Sequence, residues 1–317
     1  MTTARMGVRK SDPPAVWLIA GPTASGKSAL ALDLAERTGG RIVNADAIQL
    51  YTDLEILTAR PGANDLARAP HALYGVADGA DAWSVGRWLR AATALLEDAA
   101  DSDAPLIFVG GTGLYFRALT RGLAEAPATD PQMRDDLLAD YDRVGEAEIR
   151  TQLAALDPAA ATRIAPNDRQ RLVRALGVAL ATGRSLSDWQ ADTVPLLTQD
   201  RWRGVVVAPD RGRLHARIDA RVEQMVRDGV TAEVARLAAR ALAPELPVMK
   251  AVGFREFAAH VQGACPLDQS IRDTQTATRQ YAKRQMTWFR NQSPDWPMIE
   301  TADPADRISA ALAVFEV

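Results

Sequence analysis

The densest chemical signal in the chain is the run Gly21, Pro22, Thr23, Ala24, Ser25, Gly26, Lys27, Ser28. It fits G-x-x-x-x-G-K-[ST], in which loop amides, a lysine and a hydroxyl gather around phosphate oxygens. The flanks fit as well. Residues 16–20 are a short apolar run that predicts a buried strand, and 29–37 carry apolar residues at helical spacing. Gly21 and Gly26 permit backbone angles that other residues resist. The loop amides can then converge on an anion at the helix N-terminus. Lys27 adds a positive charge, and Ser28 is placed to ligate Mg²⁺. The pattern predicts binding of a diphosphate. It does not choose between a nucleotide such as ATP and another diphosphate.

Two further stretches could share that rim. In "RIVNADAIQLY", 41–51, Asp46 directly follows a strand-like run. Ligands of open α/β sheets bind beyond the carboxyl ends of the strands, which puts Asp46 beside the loop. Asp46 is then either a carboxylate for chemistry or a plain helix N-cap. In "LIFVGGTGLY", 106–115, the strand-like run ends in Gly-Gly-Thr-Gly. A Walker-B strand of an ATPase ends in Asp, which helps to hold Mg²⁺. Here glycines let the backbone approach a ligand, and Thr112 offers a hydroxyl. The usual ATPase carboxylate is missing at that place, although Asp46 could supply one from elsewhere.

The elements that must position these residues alternate. Strand-like runs at 16–20, 41–45, 106–110 and 204–208 are separated by helical patterns such as 84–99, which predicts a parallel α/β sheet. Between about 123 and 199 the pattern changes to several short helices without a convincing strand. Pro127 and Pro131 mark its entry and Pro195 lies near its exit. The expectation is a catalytic core from 1–122 and 200–317, interrupted by a helical insertion, 123–199.

Composition sets limits. A chain of 317 residues buries a substantial core. Net charge is −3, so any preference for nucleic acid must be local. One cysteine, Cys265, excludes an internal disulfide and a cysteine-type zinc cluster, and a cytosolic setting is the simplest reading. His71, His215 and His260 lack metal-ligand spacing. The first fourteen residues show no leader-type apolar run, and no run has the length needed to span a membrane.

Two segments carry local positive charge. Residues 279–290, "RQYAKRQMTWFR", place Arg279, Lys283 and Arg290 near one helical face with Arg284 beside them, interleaved with Tyr281, Trp288 and Phe289. Residues 163–176, "RIAPNDRQRLVRAL", carry Arg163, Arg169, Arg171 and Arg174 against Asp168. Each could be a solvated helix face. Both together, beside a phosphate loop, make nucleic acid a serious candidate.

Taken together, the motifs resemble the tRNA dimethylallyltransferases, in their bacterial form. The resembling stretches are "GPTASGKS" 21–28, "DAIQLY" 46–51, "TARP" 58–61, "APH" 69–71, "VGGTGLY" 109–115, "PNDRQRLVRAL" 166–176, "GFREF" 253–257 and "ATRQYAKRQMTWFR" 277–290. They run in family order from about 16 to 290. The resemblance implies an α/β fold with a P-loop NTPase-like parallel sheet and an inserted helical domain that clamps the tRNA anticodon stem-loop. It implies transfer of a dimethylallyl group from dimethylallyl diphosphate to N6 of the adenosine 3′ of the anticodon, with release of diphosphate. Mg²⁺ as cofactor, a monomeric state and no membrane partner go with it. Asp46 matches the general base, and Thr112 a second catalytic residue that contacts the base or diphosphate. The tRNA-contacting positions matched are Asp46, Ala47, Ile48, Gln49, Thr112, Arg134, Gln170, Arg171, Leu172, Val173, Arg174, Lys283 and Arg284. Ala47 stands where the family often has Ser, Phe254 where it has Tyr, and Arg60 where it has Lys.

The chemistry suits such residues. Breaking an allylic C–O bond builds charge on the leaving diphosphate, where loop amides and Lys27 would meet it. A carboxylate such as Asp46 would take the amine proton as the C–N bond forms. Two other classes also account for part of the pattern. A P-loop kinase of small metabolites explains the loop but not the arginine–aromatic segment at 279–290. A non-catalytic RNA-binding module leaves Asp46 and Gly-Gly-Thr-Gly without work.

Overall fold

A computed structural model describes residues 16–127 and 129–316. The first fourteen residues, where the sequence shows no leader-type run, lie outside them. In chain order the elements are β1 (Val16–Ala20), α1 (Lys27–Thr38), β2 (Arg41–Asn44), α2 (Ala63–Arg68), β3 (His71–Ala72), α3 (Val85–Asp98), β4 (Leu106–Gly110) and α4 (Gly113–Arg121). Five helices follow: α5 (Pro131–Val144), α6 (Glu146–Leu156), α7 (Pro158–Arg163), α8 (Arg169–Thr182) and α9 (Leu186–Ala191). Then come β5 (Trp202–Val207), α10 (Arg211–Arg227), α11 (Val230–Ala239), α12 (Phe254–Val261), α13 (Leu267–Gln292), β6 (Met298–Ile299) and α14 (Pro304–Phe315).

The six strands form one sheet in the order β3-β2-β4-β1-β5-β6, with every pair parallel. All five residues of β1 and of β4 are buried. Continuous apolar runs of this kind are what a parallel sheet with both faces covered requires. The register sets the site. Ala20 pairs with Gly110, and Asn44 pairs with Val109. The carboxyl ends of β1, β4 and β2 therefore lie level, and the three stretches singled out by sequence leave the sheet side by side.

The strand boundaries differ from the sequence pattern in small ways with clear causes. β2 stops at Asn44 because its side chain turns the chain: Oδ1 accepts from Asp46 N at 2.8 Å and Nδ2 donates to Asp46 O at 2.9 Å. β5 starts at Trp202, two residues before the apolar run at 204. The two-residue strands β3 and β6 are too short for any periodic signal.

The described chain divides into two compact units. One reaches Ala118 and resumes at Leu197; the other is Leu119–Leu196. In the first, α1 and α14 pack together on the sheet, and Trp17 stacks on Phe315 with ring centroids 4.6 Å apart. Helix α13 packs against α10 and α12. In the second, Leu137, Ile149, Leu153, Ile164, Leu172 and Leu176 make a separate apolar core. Asp157 is buried there and ties α7 to α9, accepting from Ala160 N and Ser187 N, both at 2.9 Å.

Candidate active site

The loop between β1 and α1 is wound tightly. Ser25 N donates to Pro22 O at 3.2 Å, Ala24 sits at φ 60°, and Gly26 caps α1 at φ 96° in the left-handed region that favours glycine. Lys27 Nζ reaches back to Pro22 O at 3.2 Å. Burial pulls the Lys27 ammonium down to about 8; the charge of Asp46 holds it up, and Arg221 pushes it further down. A bound anion would reverse that strain on the charge.

Asp46 follows the Asn44 turn. Its Oδ1 accepts from Ile48 N at 3.0 Å, which fixes the carboxylate within its own loop. Asn44, fully buried, also donates to Leu73 O at 2.9 Å. The Asn44 carbonyl accepts from Trp88 Nε1 at 2.9 Å, and Trp88 stacks on Tyr115 with centroids 4.1 Å apart. The negative charge of Asp46 is felt widely. After burial, it is the next cause that raises the phenols of Tyr74, Tyr115 and Tyr281.

The Gly-Gly-Thr-Gly turn lines the cavity with Gly111, Thr112 and Gly113, and its glycines have a structural use as well. Each glycine makes room for another part of the protein. A Cβ on Gly110 would meet Ala45 O at 1.9 Å; on Gly111, Gln285 Nε2 at 2.1 Å; on Gly113, the Trp288 ring at 2.1 Å. Thr112 likewise joins the rim to Asp46's loop. Its hydroxyl accepts from Ala47 N at 3.0 Å, and its N–H donates to Ala45 O at 3.2 Å. Thr112 therefore positions the Asp46 loop, in addition to facing the cavity.

That cavity measures about 430 Å³. Leu57, Ile218, Val222, Met225, Val252 and Trp288 give it apolar walls, while Thr23, Asp46, Thr112 and Arg221 supply polar groups. Arg221 donates to Thr23 Oγ1 at 3.0 Å and to Thr58 O at 2.8 Å. Burial lowers its guanidinium to about 10 against the opposing pull of Asp46. Gln285 spans the two sides, accepting from Thr23 N at 2.9 Å and donating to Gly111 O at 3.0 Å. Glu233, buried on α11, shapes the wall from behind by accepting from the N–H groups of Glu55, Ile56 and Leu57 at 2.7–2.8 Å.

Arg221, Gln285 and Glu233 were not apparent from sequence. Arg217 and Arg221 stand one turn apart, but Asp219 and Glu223 between and beside them make the segment read as an ordinary solvated face. Gln285 sits inside the arginine–aromatic stretch, whose charges draw the attention.

The other sequence candidates are scattered. Gln49 spends its amide on Thr58 O and Ala59 O, at 2.9 and 3.0 Å. Ala47 and Ile48 line the cavity. Leu172 and Val173 are buried in the core of the helical unit, so their side chains cannot touch tRNA; the α8 segment presents Gln170 and Arg171 instead. Arg174 is half-buried and donates to Thr129 Oγ1 at 3.0 Å and Ala126 O at 3.3 Å. Arg134 is exposed beside Asp135. Lys283 and Arg284 are exposed on α13, whereas Arg279 is paired with Asp219. Arg60 donates to Tyr51 O at 2.9 Å, and Phe254 is buried.

Among the described residues no group of three or more His, Cys, Asp or Glu could hold a metal. Mg²⁺ commonly keeps several waters and relies on one or two protein oxygens plus substrate phosphates. The exposed Ser28 hydroxyl at the start of α1 is a sparse protein donor of that kind. No helix among the described residues is long and apolar enough to cross a membrane.

Comparison with known proteins shows the family. A family model described as IPP transferase matches residues 49–292, and one described as isopentenyl transferase matches 14–73. The chain is 56% identical to the tRNA dimethylallyltransferase of Caulobacter sp. (strain K31), over 91% of its own length and 94% of the relative. The enzyme of the same name from Phenylobacterium zucineum is also 56% identical, over 92% and 94%. Among solved structures, a eukaryotic dimethylallyltransferase acting on tRNA aligns with a TM-score of 0.80 at 26% identity, covering 95% of this chain and 78% of that one. The full-length tRNA isopentenylpyrophosphate transferase of Bacillus halodurans aligns at 0.67 and 28%, covering 96% and 97%.

Proposed function

Because the chain belongs to the tRNA dimethylallyltransferase family and carries its activity, the transfer of a dimethylallyl group to a tRNA adenosine, we propose that the donor diphosphate rests on the Gly21–Ser28 loop and that Asp46 takes the proton from the acceptor amine, N6. One observation carries the assignment: an apolar cavity has both a phosphate-loop residue, Thr23, and Asp46 in its wall. The leaving diphosphate gathers negative charge. The amides at the start of α1, Lys27 and Arg221 stand where that charge develops and are already oriented. The apolar walls keep water from capturing an allylic cation.

The acceptor amine is a weak nucleophile whose proton becomes acidic only as the C–N bond forms. Asp46, held by Ile48 N and backed by the Asn44 turn, is a base in fixed orientation. Thr112 holds the Ala47 backbone and so keeps that orientation. Mg²⁺, carried by Ser28 together with the diphosphate, would neutralise leaving-group charge when bound.

The acceptor is the adenosine 3′ of the anticodon, and the adenine must leave its stack, at a cost of a few kcal/mol. Exposed Arg134, Gln170 and Arg171 of the helical unit, and Lys283 and Arg284 of α13, supply phosphate contacts that offset this. The test supplies tRNA, Mg²⁺, and either dimethylallyl diphosphate or ATP, and weighs the nucleosides afterwards. A heavier nucleoside at that one adenosine, with the allylic donor only, is expected. A tRNA with guanosine there should not react, since guanine presents a carbonyl in place of the amine. Transfer at another position, or from ATP to a small metabolite, overturns the assignment.

A further inference from the structure

The C-terminal helix α14 lies beyond the segment matched by the IPP transferase model, which ends at residue 292. Its buried residues are Arg307, Ala311 and Phe315, spaced four apart on one face. Ala311 and Phe315 belong to the apolar cluster that also holds Leu30, Ala31 and Leu34 of α1. With those two anchored, the same face carries Arg307 to the start of α1.

Arg307 is only 6% exposed. Its Nε and Nη2 donate to Thr301 O, and Nη2 also to Ala302 O, at 3.2–3.4 Å. The remaining Nη1 makes no hydrogen bond among the described residues. It faces Gly26: a Cβ there would come within 2.6 Å of Arg307 Nη1 and 3.1 Å of both Nη atoms of Arg217. Arg217 in turn donates to Ser25 O at 3.3 Å. Among the described residues neither arginine forms an ion pair with a carboxylate. Two guanidiniums thus meet over the bare side of a glycine, at the positive end of a helix. Burial, and then the charge of Arg307, hold the Arg217 guanidinium below its usual range. Charges gathered in this way are relieved by an anion placed between them.

We infer that Arg307 is a diphosphate-binding residue of the donor site, its Nη1 holding the leaving diphosphate across Gly26 together with Arg217. The inference rests on the donor placement proposed above. It also gives Gly26 a second reason to lack a side chain, because a Cβ would fill the space in which guanidinium and phosphate meet.

The test measures binding of inorganic diphosphate and of inorganic phosphate to the full chain and to Arg307→Gln, with a melting curve to confirm folding. The substitution should weaken diphosphate about tenfold or more and phosphate by less than about threefold, the loss expected of one charge-assisted hydrogen bond. Donor KM should rise more than kcat falls, and tRNA affinity without donor should not change. An unchanged diphosphate affinity, or an equal loss for both anions, overturns the inference, because a merely loosened loop would weaken both alike. If Arg307→Gln does not fold, the wild-type guanidinium nitrogen resonance of Arg307, assigned with Arg307→Lys, must shift when diphosphate is added; no shift overturns the inference. Failure of the wild type to bind diphosphate at all would overturn the donor placement itself, whereas binding that Arg307→Gln leaves intact overturns only the role of Arg307.

Discussion

The proposed donor end and the proposed acceptor end of the site are built in opposite ways. On the proposed donor side stand long cations, Lys27, Arg217, Arg221 and Arg307, from α1, α10 and α14, none of them in an ion pair among the described residues, with Arg221 in the cavity wall. Two of them, Lys27 and Arg221, are held well below their usual pKa ranges by burial. The acceptor end relies on short side chains and main chain: Asn44, Asp46 and Thr112 bond to each other's loops, and glycines allow contact with Ala45, Gln285 and Trp288. One end is unfinished without a polyanion. The other is already complete and has only to receive a flat base. A leaving group that arrives charged needs a site that waits in deficit. A proton acceptor needs a site that does not move.

Asp46→Asn separates the two ends most sharply. It keeps the shape and removes the base, so the single-turnover rate should fall by about 10²-fold or more. Diphosphate affinity should stay within a few-fold. A rate near that of the wild type would reduce Asp46 to a cap, and the contrast between the ends would collapse.

The donor end should respond to pH in a defined direction. Free Lys27 is half-deprotonated near pH 8. A bound diphosphate favours the ammonium and raises that value. Affinity is therefore full below about pH 8 and falls above it, by at most about tenfold per pH unit, and binding in that range takes up a proton. Calorimetry in buffers of different ionisation enthalpy reads the proton directly. Flat affinity between pH 7 and 9.5 would show that Lys27 carries no such strain.

Gln285 is bonded to both ends. Gln285→Ala leaves Thr23 N and Gly111 O without their partner, and should cost about 1–3 kcal/mol in denaturant unfolding. If each end is self-sufficient, that variant will unfold like the wild type.

The smallest effects belong to the outer surface. Arg171→Ala and Lys283→Ala should each flatten the salt dependence of tRNA binding by about 0.7–0.9 in slope. Arg174→Ala should flatten it less and lower the melting temperature, since its guanidinium is spent on Thr129 and Ala126. Equal slopes for Arg171→Ala and Arg174→Ala would mean that Arg174 leaves those partners to meet RNA.

The two basic stretches show how far a linear reading reaches. Both looked alike, with arginines at helical spacing. In α8 the apolar residues between them, Leu172, Val173 and Leu176, are core, and Arg174 is partly drawn in with them. In α13 the buried face holds Gln285 and Phe289, which turns an apparent RNA-binding stretch into a strut of the active site as well. Periodicity showed that each was a helix. It could not show which flank would face another element.

What the sequence determined on its own is local. The phosphate loop, the strand before it, the helix after it, the alternation that makes a parallel sheet and the change to short helices near 123 all follow from steric and apolar patterns within a few residues. Asp46 was placed on the rim because strand ends define that rim. The tertiary structure alone decided what those residues meet: Arg221 on Thr23, Arg307 over Gly26, Gln285 between two turns, Glu233 under the 55–57 backbone. These pairs are separated by 170 residues or more, and a guanidinium or an amide carries no mark in the sequence of the partner to which its chain will be folded back.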